Sequence, residues 1–209
     1  MKTFLFQGDS ITDAGRTGSR DPNSSKGMGY PLLVESDLRF DHPNDYEFIN
    51  RGISGNKITD IIARIKRDII NLNPDYMSIL IGVNDAWHEI NSNDGVSANR
   101  FELFYDLAVE QILEALPNLK IIVLEPFVLK GSATEARWEQ FETEVGKRAC
   151  SAKKIAKKYN LSFVSLQDKF NEAEKKAPAS YWLQDGVHPT SAGHELIARE
   201  IIKTFEMIK

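Results

Sequence analysis

The chain has 209 residues, 42% of them hydrophobic and 27% charged, with a formal net charge of −4 and one cysteine, Cys150. These values sit near the averages for one soluble globular domain, which argues against disordered and membrane classes. A single cysteine excludes an internal disulfide, and a mildly acidic surface offers nothing to a polyanion such as nucleic acid.

The chain opens Met1-Lys2-Thr3, and Asp9 soon interrupts the apolar residues that follow. A secretory signal needs an apolar stretch of about 7–15 residues and a small-residue cleavage site, and a membrane span needs about 20 apolar residues. Neither pattern is present, so the expectation is a cytoplasmic protein that does not act at a membrane.

Five short apolar runs predict strands at residues 3–6, 46–50, 77–81, 121–124 and 161–164. Runs of this length and composition fit strands buried on both faces. Between them the period changes to that of a helix. Ile58, Ile61, Ile62, Ile65 and Ile69 form one stripe, and Phe101, Phe104, Tyr105, Ala108 and Ile112 form another. Residues 137–159 read as a long helix, with Trp138 packed in it. Its Lys153, Lys154, Lys157 and Lys158 make a solvated face. Ile197, Ile201, Phe205 and Ile208 mark a last helix, with an N-cap near Ser191. Strands alternating with helices predict βαβ units, a mainly parallel sheet and helices on both faces. The polar stretch 16–29 follows the first strand and reads as an active-site rim or a subunit contact.

Ligands of such sheets bind beyond the carboxyl ends of the strands, and four motifs fall there. Gly8-Asp9-Ser10 follows the first strand and Gly52 to Asn56 follows the second. Gly82-Val83-Asn84-Asp85 follows the third, and Asp185-Gly186-Val187-His188 precedes the last helix. Together they supply what an ester hydrolase needs. Ser10 is a nucleophile, weak until a base takes its proton. His188 is that base, and Asp185, three residues earlier, fixes its tautomer. The backbone N–H groups of Ser10 and Gly55 and the side-chain amide of Asn84 are donors for the developing oxyanion.

Each motif alone has an ordinary reading. Gly-Asp-Ser makes turns, Asp-x-x-His arises by chance, and both Asn84-Asp85 and residues 54–56 can cap helices. The joint pattern resembles the SGNH (GDSL-type) hydrolase superfamily, whose four letters match Ser10, Gly55, Asn84 and His188 over nearly the whole chain. That resemblance implies a flavodoxin-like fold with a central sheet of five parallel strands, a Ser–His–Asp triad, and no metal or organic cofactor. Ile11 replaces the leucine of the motif's name, an apolar exchange without chemical consequence.

A closer similarity is to bacterial intracellular acetylxylan esterases of this superfamily. It is carried by Gly8 to Asp13, Gly52 to Asn56, Ile81 to Asp85 with Trp87, and Val187-His188-Pro189 with Ala192-Gly193-His194. This implies deacetylation of xylo-oligosaccharides by a protein that in some relatives forms large homo-oligomers. Members with similar motifs also cleave lipid, thioester and aryl esters or transfer acyl groups. One departure is Gln184, where those esterases carry an aromatic residue before the triad aspartate.

Trp87 and Trp182 are the candidate substrate-binding aromatics, with core packing as the alternative. His88 and His194 read as structural or exposed, and His42 as a loop residue. Asp9 is expected to fix its own loop, Asp13 to contact Arg16 or cap a turn, and Arg51 to pair with a buried carboxylate. Two rival classes use the same residues. A metal-dependent hydrolase would gather Asp9, Asp13, Asn84, Asp85, Asp185 and His188 as ligands. A non-catalytic carbohydrate-binding protein would use the scaffold alone.

Overall fold

The computed structural model describes residues 1–18 and 25–209. Its sheet comprises β1 (Lys2–Gly8), β2 (Tyr46–Asn50), β3 (Tyr76–Leu80), β4 (Lys120–Leu124) and β5 (Ser162–Val164). All neighbours pair in parallel in the order β2-β1-β3-β4-β5. This is the flavodoxin-like, doubly wound order, and its direction reverses between β1 and β3. Ser10 follows β1 at that switch point.

The flanking helices are α1 (Ser10–Asp13), α2 (Tyr30–Asp41), α3 (Ile58–Asp68), α4 (Val83–Ser92) and α5 (Ala98–Ala115). They continue with α6 (Trp138–Lys158), α7 (Leu166–Glu174), α8 (Ala179–Trp182) and α9 (Ser191–Glu206). Among the described residues, no helix is long and apolar enough to cross a membrane.

Alternation along the strands divides the core in two. Phe4, Phe6, Phe48 and Tyr76 face α2 and α9, where Phe205 stands 4.9 Å from the Tyr76 ring. Leu5, Met77, Ile79 and Ile121 face α3, α5 and α6, meeting the predicted stripes through Ile58, Ile61, Ile65, Tyr105 and Ile112. Burying such a side chain contributes about 1.5–3 kcal/mol, so the two stripes clamp the sheet from that side. The lysine run ion-pairs across the surface, Lys154 to Glu102 at 3.1 Å and Lys158 to Asp106 at 2.6 Å.

Several local expectations change. Helix α2 occupies a segment with no predicted element, entered through Tyr30-Pro31 and hiding Glu35 among its apolar residues. Asn84 and Asp85 lie in the first turn of α4 rather than capping it, because Gly82 takes the cap position. Lys57, not the 54–56 segment, takes that place for α3. The cap of α9 is Thr190, whose hydroxyl accepts the Gly193 N–H at 3.3 Å, and Ser191 is the first helical residue. Of the polar stretch, residues 19–24 lie outside the described residues, while Met28 borders the cavity at Ser10, as does Gly15 just before the stretch.

Candidate active site

The turn after β1 is built around Asp9. Its carboxylate Oδ1 accepts the Ile11 N–H at 3.0 Å and caps α1, so the chain bends at once into a short helix whose first residue is Ser10. As the first helical residue, Ser10 keeps a backbone N–H with no partner inside the helix. Asp9 is wholly buried, and that burial pushes its carboxyl up to about 7, partly offset by the Ile11 N–H and by His188.

The segment before α9 is a turn folded on its own aspartate. Asp185 Oδ1 accepts the N–H groups of Val187 at 2.9 Å and His188 at 2.8 Å. Its Oδ2 stands 2.8 Å from His188 Nδ1. His188 Nε2 lies 3.1 Å from Ser10 Oγ, across 178 residues of sequence. With Asp185 ionised, Nδ1 carries the proton, Nε2 is the acceptor, and the Ser10 hydroxyl donates to it. Burial pushes Asp185 up, but the hydrogen bonds from the His188 ring and from the backbone of His188 and Val187 outweigh it and hold the carboxyl at about 2. The same ring contact raises the pKa of His188, against burial, which lowers it.

The Asn84 amide donates to Asn56 O at 3.1 Å, which ties its side chain to the Gly52–Asn56 loop. Asp85, beside it, accepts the Ile58 N–H at 3.1 Å and ties α3 to α4. Gly55 sits at φ +82°. A side chain there would meet no neighbouring atom, so glycine is required by the left-handed backbone and not by crowding within the protein. The N–H groups of Ser10 and Gly55 make no hydrogen bond among the described residues. Ser10, His188 and Asp185 are thus joined by hydrogen bonds, and Gly55 and Asn84 follow the ends of the neighbouring strands β2 and β3. Beside Ser10 is a cavity of about 470 Å³, lined by Ile11, Met28, Gln184, His188 and His194 among others.

The two tryptophans part company. Trp87 packs edge-on against Phe141 and stands 6.4 Å from the His188 ring. Trp182 does not line the Ser10 cavity. It closes α8 with its indole N–H donated to Ala177 O at 3.2 Å, and lines a separate groove with Tyr181 and Leu196. Gln184 instead is among the residues lining the Ser10 cavity. His194 is structural: its Nδ1 accepts the Tyr30 N–H at 3.2 Å, and burial lowers its pKa to about 4. Arg51 approaches the buried Asp68 at 3.9 Å. Asp13 accepts the N–H groups of Arg16 and Ser54. Among the described residues, no three His, Cys, Asp or Glu side chains form a metal-ligating group. The acids of the metal hypothesis bind backbone N–H groups instead.

Two supporting residues escaped the sequence reading. Thr134 is buried, donates to Leu129 O at 2.8 Å and accepts the Gly131 N–H at 2.9 Å. The loop so formed carries the Asp185-Gly186 turn through Leu129 N to Gly186 O and Ala133 N to Asp185 O. Arg64 lies under the Gly52–Asn56 loop, and its signal was a charged pair, Arg64 and Asp68, on the face of α3 that carries Ile61 and Ile65.

A model described as the GDSL-like lipase/acylhydrolase family matches residues 6–196. An acetylxylan esterase of Geobacillus stearothermophilus is 33% identical over 213 residues, covering 99% of this chain and 95% of its own. A solved GDSL-like lipase from Parabacteroides merdae superposes with a TM-score of 0.93 at 36% identity, over 99% of this chain and 96% of that one. The solved acetylxylan esterase of G. stearothermophilus gives 0.85 at 31% identity, over 97% and 93%. An alpha/beta hydrolase from the metagenome of Lake Arreo gives 0.88 at 25% identity, over 100% and 96%. The chain belongs to the GDSL-like lipase/acylhydrolase family and is a carboxylic ester hydrolase.

Proposed function

We propose that this esterase removes short acyl groups, acetyl first among them, from carbohydrate esters such as xylo-oligosaccharides, through a triad of Ser10, His188 and Asp185. The observation that carries the reading is the continuous line from Ser10 Oγ to His188 Nε2 at 3.1 Å and from Nδ1 to Asp185 Oδ2 at 2.8 Å. These distances lie within the reach of proton transfer.

As Ser10 Oγ attacks the ester carbonyl carbon, Nε2 takes its proton and Asp185 stabilises the imidazolium. The carbonyl oxygen becomes an oxyanion held by the N–H groups of Ser10 and Gly55 and by the Asn84 amide. Collapse breaks the ester bond, and His188 returns the proton to the departing sugar oxygen. Water, deprotonated by the same imidazole, then attacks the acyl-enzyme; the acyl–Oγ bond breaks, His188 returns the proton to Ser10 Oγ, and the carboxylic acid is released. The sugar reading is supported by the name of the G. stearothermophilus relative, by the aromatic ring of Trp87 beside His188, and by an open cavity of mixed polarity at Ser10.

Ser10→Ala is expected to abolish cleavage of p-nitrophenyl acetate while leaving the circular dichroism spectrum unchanged. Retained turnover in that variant would remove the triad. The substrate class is tested with acetylated xylo-oligosaccharides against esters of increasing acyl length. Activity that rises toward octanoyl esters would favour a lysophospholipase or thioesterase type of substrate.

A further inference from the structure

We propose that Arg64 is a positioning residue that fixes the spacing of the oxyanion-binding groups. The inference rests on the reading just given of Ser10, Gly55 and Asn84.

Only 7% of the Arg64 side chain is exposed, and each of its nitrogens donates. Nε donates to Asn56 Oδ1 at 2.8 Å, and Nη1 to Arg51 O at 2.7 Å. Nη2 donates to Gly8 O at 3.2 Å, the carbonyl one residue before the Asp9-Ser10 turn. The remaining contact is the counter-charge, Nη1 to Asp68 Oδ2 at 3.1 Å, one helical turn away on α3. One guanidinium therefore bonds the entry to the nucleophile turn and both ends of the loop that carries Gly55.

The third donor is reached through Asn56. Its side chain accepts from Arg64, and its main-chain carbonyl accepts from the Asn84 amide. Gly8 O is also shared, since it accepts the Ile53 N–H at 3.1 Å from the same loop. Ser10, Gly55 and Asn84 come from three different strand ends, and nothing in β1, β2 or β3 alone sets the distances among them. Arg64 does so because its fork is planar and rigid and presents donors in several directions at once. A lysine ammonium at this site is a single point on a flexible stem and cannot hold carbonyls on both loops.

The test is Arg64→Lys, alone and combined with Asn84→Ala, assayed on p-nitrophenyl acetate. Turnover is counted per site labelled to completion by a fluorophosphonate, so loss of folded protein does not register as loss of rate. We expect Arg64→Lys to lower kcat about 10- to 100-fold with KM within about threefold, the scale on which misplaced catalytic groups act. The position of the pH profile is expected to stay fixed, since His188 and Asp185 are untouched. In the Asn84→Ala background the loss should shrink, because one donor that Arg64 positions is already gone. Wild-type turnover per labelled site, or an equal fold-loss in both backgrounds, would overturn the proposal.

If Arg64→Lys does not fold, Asn56→Ala keeps the Arg64–Asp68 pair and the Asn56 main-chain carbonyl while cutting the link to the loop. A severalfold lower kcat per labelled site is expected there, and wild-type turnover overturns the inference. Ser10→Ala, run in parallel, separates the two levels. Activity without Ser10 removes the triad reading itself, whereas an inactive Ser10→Ala beside an unimpaired Arg64→Lys removes only the role of Arg64.

Discussion

Asp185 holds His188 twice, once through the ring Nδ1 at 2.8 Å and once through the backbone N–H, also at 2.8 Å. The ring contact sets the tautomer, and the backbone contacts make the turn that aims the ring at Ser10. As the proposed base, His188 accepts a proton only when neutral, and its raised pKa is expected to place the acid limb of kcat/KM above the ordinary histidine value of 6.5. Asp185→Asn removes the chief cause of that shift. The midpoint of the acid limb is expected to move to lower pH, and kcat to fall about 100- to 10,000-fold as the imidazole loses its orientation. A pH–rate profile of both proteins checks this, and an unmoved midpoint would detach Asp185 from the base.

The strands were legible because burial on both faces leaves continuous apolar runs, as in β3, which is buried at every position; the edge strand β2, with Glu47 exposed, keeps its predicted span of 46–50. Their ends moved where a polar residue continues the pairing, as Lys2 and Lys120 do. Helix α3 was legible from its isoleucines. Helix α2 was not, because Glu35 interrupts its stripe and is held by Arg39 at 2.8 Å and Lys26 at 3.6 Å, the latter from a loop. The residues around Ser10 were readable because chemistry limits which types can stand at a strand end. Arg64 and Thr134 were not, since the carbonyls of Gly8, Arg51 and Leu129 that they reach are set by tertiary geometry, and the Arg64–Asp68 pair on α3 does not by itself point to them. Trp182 misled because its place in sequence said nothing of the turn of α8 that carries its indole away from Ser10.

Gly186 and Gly146 are a contrasted pair. Gly186 sits at φ +99°, and a Cβ there would stand 2.5 Å from Leu129 O and 2.6 Å from Thr134 Oγ1. Gly146 lies within α6 with open space around it. Gly186→Ala is expected to cost about 1–3 kcal/mol of stability and to lower activity, because the strained turn carries Asp185 and His188. Gly146→Ala is expected to gain about 0.5–1 kcal/mol, as alanine is the better helix former. Thermal melts of both variants, with turnover per folded molecule, check the pair. An unchanged melting temperature in Gly186→Ala would refute the account of that turn.

Asp9 gives a stability signature separable from catalysis. Its Oδ1 caps α1, but its Oδ2 is buried and has no hydrogen-bond partner among the described residues. Burial raises the carboxyl from 3.8 to about 7, so between these values the folded state binds more protons than the unfolded one. Stability from this group is therefore greatest below 3.8, declines as pH rises through the window, and is level above about 7. Asparagine keeps the capping oxygen and carries no charge. Asp9→Asn should therefore gain on the wild type between pH 5 and pH 8, by an amount on the order of 2 kcal/mol. Asp85, raised to about 7 in the same way, contributes its own slope to both proteins and largely cancels in the difference. Denaturant melts at the two pH values measure it. A difference that stays constant with pH would mean that Asp9 is already ionised in the folded protein, and that its unpartnered oxygen carries a charge the surroundings can hold.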